Sequence, residues 1–154
     1  EKVFSVGEDF LGTFPNSPKS KEILLSMTQM SLVTVDFSRA SRYLIAYAQK
    51  FPEDSQSKGF LTQAASISEE IGFLDEAIIA YRSLGQTDKV AALLEKNGNW
   101  SELLQTAPKL GGVKSLYYSA IANLKMNKHR RWNICHLQLL LIYQSANQFP
   151  ETIV

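Results

Sequence analysis

Cysteine is almost missing from this sequence. Cys135 stands alone among 154 residues, which excludes an intrachain disulfide and leaves the redox compartment open. Long apolar runs are missing as well. The longest, Leu137 to Tyr143, is broken by Gln138 and falls far short of the roughly 20 residues that a membrane-spanning helix needs. Histidine is scarce, with only His129 and His136. No Ser-His-acid arrangement is therefore nominated by spacing. Together with Cys135 they are three metal-type side chains, where a structural zinc site takes four in paired spacings. Cys135 and His136 would also point about 100° apart on a helix, so no metal is expected and Cys135 reads as a small buried hydrophobe. There is no Gly-x-x-x-x-Gly-Lys phosphate loop and no dinucleotide glycine pattern. The acid pairs Glu53-Asp54, Glu69-Glu70 and Asp75-Glu76 are adjacent rather than facing, as at helix starts or on solvated surfaces. These absences argue against an enzyme and against a cofactor.

What is present is an ordinary globular balance, with 45% apolar and 20% charged residues, enough to build a core at this length. The net charge of +1 argues neither for nor against a nucleic-acid partner, and none is expected. Its distribution is uneven: residues 1–112 carry 11 Lys/Arg against 14 Asp/Glu, and residues 113–154 carry 5 against 1. The chain opens on Glu1 without Met, and it reads as a processed protein or a segment of a longer one.

The helical period dominates. Leu74, Ala77, Ile78, Tyr81 and Leu84 follow the i, i+3, i+4, i+7 spacing of one apolar stripe, and no stretch alternates with period two. Ser17-Pro18 reads as a helix start, with Ser17 as N-cap and Pro18 in the first helical position. Ala107-Pro108 reads as a boundary, and Gly72, Gly85 and Gly98 punctuate the ends of apolar runs. Short joins between such helices make antiparallel neighbours. The aromatics Tyr43, Tyr47, Phe60, Tyr81, Tyr117 and Tyr118 sit at helical spacing and read as core rather than as a ligand cage.

A period is visible. Phe14-Pro15 returns 37 residues later as Phe51-Pro52, and Ala40 returns 37 residues later as Ala77. In this phrasing the chain resembles the tetratricopeptide repeat family. The family's small, large and Pro positions of the second helix fall on Ala40, Leu44 and Pro52, after Leu24, Met27, Thr28 and Ser31 in the first helix. The next unit offers Leu61, Ala64, Ala65, Ser68, Gly72, Ala77 and Tyr81. A shortened third unit turns at Gly98, with Leu103 in the small-residue place. A fourth departs further, with Asn127 at its turn and Trp132 in the small-residue place. The resemblance implies an all-α fold, a TPR-like right-handed α-solenoid of about 3–4 antiparallel hairpins in one domain, residues 1–154, with hairpins near 17–51, 55–85, 87–107 and 113–148. The Phe-Pro-x-Ser-Pro phrasing at residues 14–18 is similar to bacterial cell-envelope members, outer-membrane assembly lipoproteins and periplasmic division-associated proteins. It implies a periplasmic or cell-envelope location.

A stack of this kind implies a non-catalytic scaffold that binds another protein, as a peptide or a domain, in a concave groove lined by the first helix of each hairpin. The family's alignment places Gln29, Thr62, Ser66, Glu69, Asp88, Glu95, Tyr117 and Ile121 there. Members that grip a C-terminal carboxylate use cations on this face. Here the charges are acids, so a neutral or basic segment is expected. The alternative is a structural spacer or oligomerisation segment of a larger α-solenoid or multidomain protein. A secondary contact is offered by Lys128, Arg130 and Arg131 beside Trp132, through Arg and aromatic anchoring. Residues 128–154, rich in Leu139, Leu140, Leu141 and Ile142, read as a capping helix, as a docking surface that could join copies of the chain, or as the start of a truncated repeat.

Overall fold

In the computed structural model, which describes residues 2–126, the apolar stripes become eight α-helices and one short 3-10 turn, with no strand among the described residues. They are α1 (Lys2–Thr13), α2 (Ser20–Val33), α3 (Phe37–Lys50), α4 (Ser57–Ile71), α5 (Leu74–Ser83), α6 (Thr87–Asn97), α7 (Trp100–Thr106) and α8 (Gly112–Lys125). The chain divides into two compact units, Glu1–Gln86 and Thr87–Val154, where the sequence reading has one domain. The expected hairpin at 17–51 spans α2 and α3, that at 55–85 spans α4 and α5, and that at 87–107 spans α6 and α7. Of the fourth, 113–148, only α8 is described. Asn127, Trp132 and Cys135, with the cluster Lys128, Arg130 and Arg131, lie outside the described residues.

One boundary differs from its sequence signal. Ser17 does accept a hydrogen bond from the Lys19 N–H, at 3.3 Å, but α2 begins at Ser20 rather than at Pro18. The Ser20 N–H bonds the Ser17 carbonyl at 3.0 Å, so Ser17-Pro18-Lys19 closes a separate turn ahead of the helix. The Ala107-Pro108 signal marks a real break: Ala107–Lys109 tighten into a 3-10 turn, the geometry that a helix end adopts to satisfy its last carbonyls.

Three hairpins share one turn. After α2, α4 and α6 a single residue swings into left-handed backbone, Val35 (φ 59), Gly72 (φ 82) and Gly98 (φ 72). The next N–H then reaches back five residues, closing a six-residue loop: Asp36 to the Ser31 carbonyl (2.8 Å), Phe73 to Ser68 (2.8 Å) and Asn99 to Leu94 (3.0 Å). This is the Schellman closure, which satisfies carbonyls the helix leaves open. Where the chain re-enters a helix, Asp36 caps the Arg39 N–H and Asn99 caps the Glu102 N–H, as short polar side chains do at N-caps.

Burial repeats in step with the turns. Thr28, Ala65 and Ala91 are buried at one place in the first helices, and Ser31, Ser68 and Leu94 at the next. In the second helices Ala40, Ala77 and Leu103 are fully covered. In the first unit the seam between α3 and α4 is built of small side chains, Ala40, Ser41, Ala64, Ala65 and Ser68, all buried. The buried hydroxyls of Ser41 and Ser68 bond each other across it. Small residues let backbones approach, and the shared hydrogen bond removes the desolvation cost that either hydroxyl alone would carry. A second cluster joins Phe4, Leu24, Met27, Tyr43 and Tyr47 and holds α1, α2 and α3 together.

Candidate partner-binding face

The candidate positions lie on the first helices of the hairpins, taken in each unit by itself. In α2, Leu24, Met27, Thr28 and Ser31 turn inward and leave Gln29 exposed. In α4, Leu61, Ala64, Ala65 and Ser68 turn inward and leave Thr62 and Ser66 exposed, with Glu69 half-buried. In the second unit Val90, Ala91, Leu93 and Leu94 are the inner side of α6, which leaves Asp88 exposed and Glu95 half-buried. Tyr117 and Ile121 are half-buried on α8.

Each acid in this set meets a partner from a neighbouring helix. The Tyr81 hydroxyl of α5 donates to Glu69 at 2.6 Å, and the Tyr117 hydroxyl of α8 donates to Glu95 at 3.2 Å. Lys114 of α8 pairs with Asp88 at 3.1 Å. Both carboxylates are held in position by a phenol from a neighbouring helix. Burial, and then the bond to Glu69, push the Tyr81 phenol up to about 12. It is therefore a neutral donor at physiological pH. The hydroxyl of Thr62 turns back to the Lys58 carbonyl at 2.9 Å, and that of Ser66 meets Glu70 at 3.4 Å.

The same device recurs elsewhere in the first unit. The Tyr43 hydroxyl of α3 donates to Glu8 of α1 at 2.7 Å, and burial first, then Glu8, raise the Tyr43 phenol far above its usual range. Between α3 and α4, Asp54 gathers three donors: Lys21 Nζ, the Tyr47 hydroxyl at 3.0 Å and the Gln56 N–H at 2.9 Å. The lysine, then the Gln56 amide, hold the Asp54 carboxyl well down, at about 2. Sequence reasoning missed this cluster because its partners lie up to 33 residues apart. Only the bond to Gln56, two residues on, was open to a local signal, that of an aspartate closing its own turn. All three groups are consumed by one another, an arrangement that fixes the loop between the hairpins rather than a reacting substrate.

Two grooves of similar size lie in the first unit. One, of about 410 Å³, is flanked by Ala48 and Pro52 on one side and Ser57, Leu61 and Leu84 on the other. The other, of about 420 Å³, runs between α1 and α2 and is mostly apolar. Among the described residues no group of three or more His, Cys, Asp or Glu could hold a metal ion, and no helix is long and apolar enough to cross a membrane. No family model matches the chain, and no curated protein and no solved structure matches it.

Proposed function

We propose that the chain is a non-catalytic protein-binding scaffold of TPR-like hairpins, which takes a neutral or basic peptide segment along the outward side of its first helices. The observation that carries this reading is the repeat of one hairpin plan. A left-handed turn residue, a six-residue closure and a buried small residue recur at Val35, Gly72 and Gly98 and at Ala40 and Ala77. A plan of that kind gives every first helix an inner side to bury and an outer side to spend on recognition. The outer side of α4 is polar, with Thr62, Ser66 and Glu69 in line, and Tyr81 fixes the glutamate that would meet a cation. Preorganised polar groups of this sort supply specificity and encounter rate more than raw affinity.

Panning a peptide library on the purified chain tests the reading. Selected peptides should be neutral or basic, and Thr62→Arg with Ser66→Arg should weaken them about tenfold, which is about 1.4 kcal/mol, at unchanged far-ultraviolet circular dichroism. Peptides whose affinity ignores both substitutions would sink it. A second reading, a spacer within a larger α-solenoid, is favoured by one observation: Val3 and Val6 on α1 are exposed apolar side chains, although Phe4 beside them is buried.

A further inference from the structure

Two helix starts in the first unit are copies of one another at the 37-residue offset. Ser20 and Lys21 open α2 as Ser57 and Lys58 open α4. Ser20 and Ser57, both buried, donate their hydroxyls to the carbonyls of Phe14 and Phe51, and Leu24 and Leu61 follow on the inner side. At the first of these places the lysine has a counter-ion. Asp54, in the link after α3, reaches back to Lys21 Nζ and accepts from the Tyr47 hydroxyl. In the same link Phe51 lays its ring against Tyr47, with centroids 5.2 Å apart. Residues 51–56 thus act as a ligand that the chain supplies to itself.

At the second place that ligand is missing. α5 stops at Ser83, where α3 at the same offset has reached only Ala46 and runs on to Lys50. Residues 84–86 then form the whole link, against residues 51–56 after α3. Leu84 stands in the place of Tyr47, and the link Leu84-Gly85-Gln86 holds no acid. Here lies the groove of about 410 Å³, with Lys58 on its wall among Ala48, Pro52, Leu61 and Leu84. Lys58 is exposed, and among the described residues no carboxylate pairs with it. The copy keeps the cation and an apolar wall, and lacks the acid and the ring that complete the original.

We propose that this groove takes an acidic segment of a partner protein, with the side-chain carboxylate of an aspartate on Lys58 and a large apolar residue three places earlier against Leu61 and Leu84, as Asp54 and Phe51 sit on Lys21 and Tyr47. Charge complementarity names the acid, and the filled copy names its spacing. The chain itself is a poor source, since Glu151 is the one acid among residues 127–154. The apolar residue supplies the buried anchor, while the carboxylate fixes register and orientation more than it adds affinity. The inference rests on this internal copy and not on what Thr62, Ser66 and Glu69 meet, so either reading can fail without the other.

The probe is a synthetic peptide of residues 51–56, blocked at its C-terminus and labelled at its N-terminus for fluorescence anisotropy. It should bind the purified chain saturably. Lys58→Gln, at an exposed side chain, should weaken it about threefold or more, Lys58→Arg should keep it, and Lys19→Gln, outside the groove, should leave it unchanged. A peptide with Asn in place of Asp54 should bind the parent more weakly by the same factor, yet bind the Lys58→Gln variant as well as the Asp peptide does. No binding, or losses from the two changes that simply add, overturns the proposal. So does tighter binding of the peptide to a Glu151→Gln variant, because the chain's own acid would then be the occupant.

Discussion

Val35 is the one non-glycine residue in left-handed backbone among the described residues, at φ 59. A β-branched side chain pays about 1–2 kcal/mol for that conformation, and Gly72 and Gly98 avoid it at the equivalent turns. Val35 is 67% exposed, so its side chain returns little burial. Val35→Gly relieves the strain and loses part of the gain to the greater freedom of glycine in the unfolded chain. The net expectation is a stabilisation of up to about 1 kcal/mol, read as a higher urea midpoint at unchanged slope. Gly72→Val should move the midpoint the other way by about 1–2 kcal/mol. Asp54 gives a prediction in pH. Its folded carboxyl titrates at about 2 against an ordinary 3.8, so the ionised form favours the fold. That contribution is full above the ordinary value and is lost as pH falls through about 2. Asp54→Asn should be less stable than the parent at neutral pH, and the gap should close in acid melts between pH 4 and about 2.

At the scale of the helix, the Ser41–Ser68 contact decides how α3 and α4 meet. Both hydroxyls are buried, and they bond each other. Removing one leaves the other short of a partner at a cost of about 1–3 kcal/mol, whereas removing both deletes donor and acceptor together. Ser41→Ala alone should therefore destabilise by about 1 kcal/mol or more. The double variant Ser41→Ala/Ser68→Ala should cost less than the two single changes summed. Additive costs in that thermodynamic cycle would show that the hydroxyls act separately.

Much of the element order was legible, and the reasons are local. Gly72, Gly85 and Gly98 need positive φ, and the stripe on α5 is a plain 3.6-residue pattern. The turn after α2 was hidden because Val35 stands where the turns after α4 and α6 carry Gly72 and Gly98, so nothing in the residue type announced a left-handed bend. The first helix was not assigned to any hairpin, since its apolar positions Val3 and Val6 are not buried and its glycines, Gly7 and Gly12, weaken the helical signal. The positions named for the candidate face came from the family resemblance; of them Gln29, Thr62, Ser66 and Asp88 are exposed and Glu69, Glu95, Tyr117 and Ile121 half-buried. The tyrosine partners of Glu8, Glu69 and Glu95 were not legible, because they arrive from other helices, 12 to 35 residues away.

For the chain as a whole, the division into Glu1–Gln86 and Thr87–Val154 is a statement about which segments need each other. Isolated helices of 10–15 residues are marginal in water, so α1 to α5 hold only through what they bury together. In the first unit that includes the aromatic and aliphatic cluster of Phe4, Leu24, Met27, Tyr43 and Tyr47 and the small-residue seam of α3 and α4. Neither draws on a residue beyond 86. Residues 1–86 alone should therefore melt cooperatively, with a sigmoidal loss of ellipticity at 222 nm. A shorter piece ending at Gly72 keeps that aromatic cluster and the α3–α4 seam but strips away α5, with its buried Ala77, Ile78, Ala80 and Tyr81, and removes the donor that Tyr81 offers Glu69. It should melt lower and more broadly, as a repeat array does when a terminal element is taken away. If residues 1–86 lose their ellipticity gradually instead, the first unit depends on the second, and the burial within α1 to α5 is insufficient to offset the entropy of ordering them.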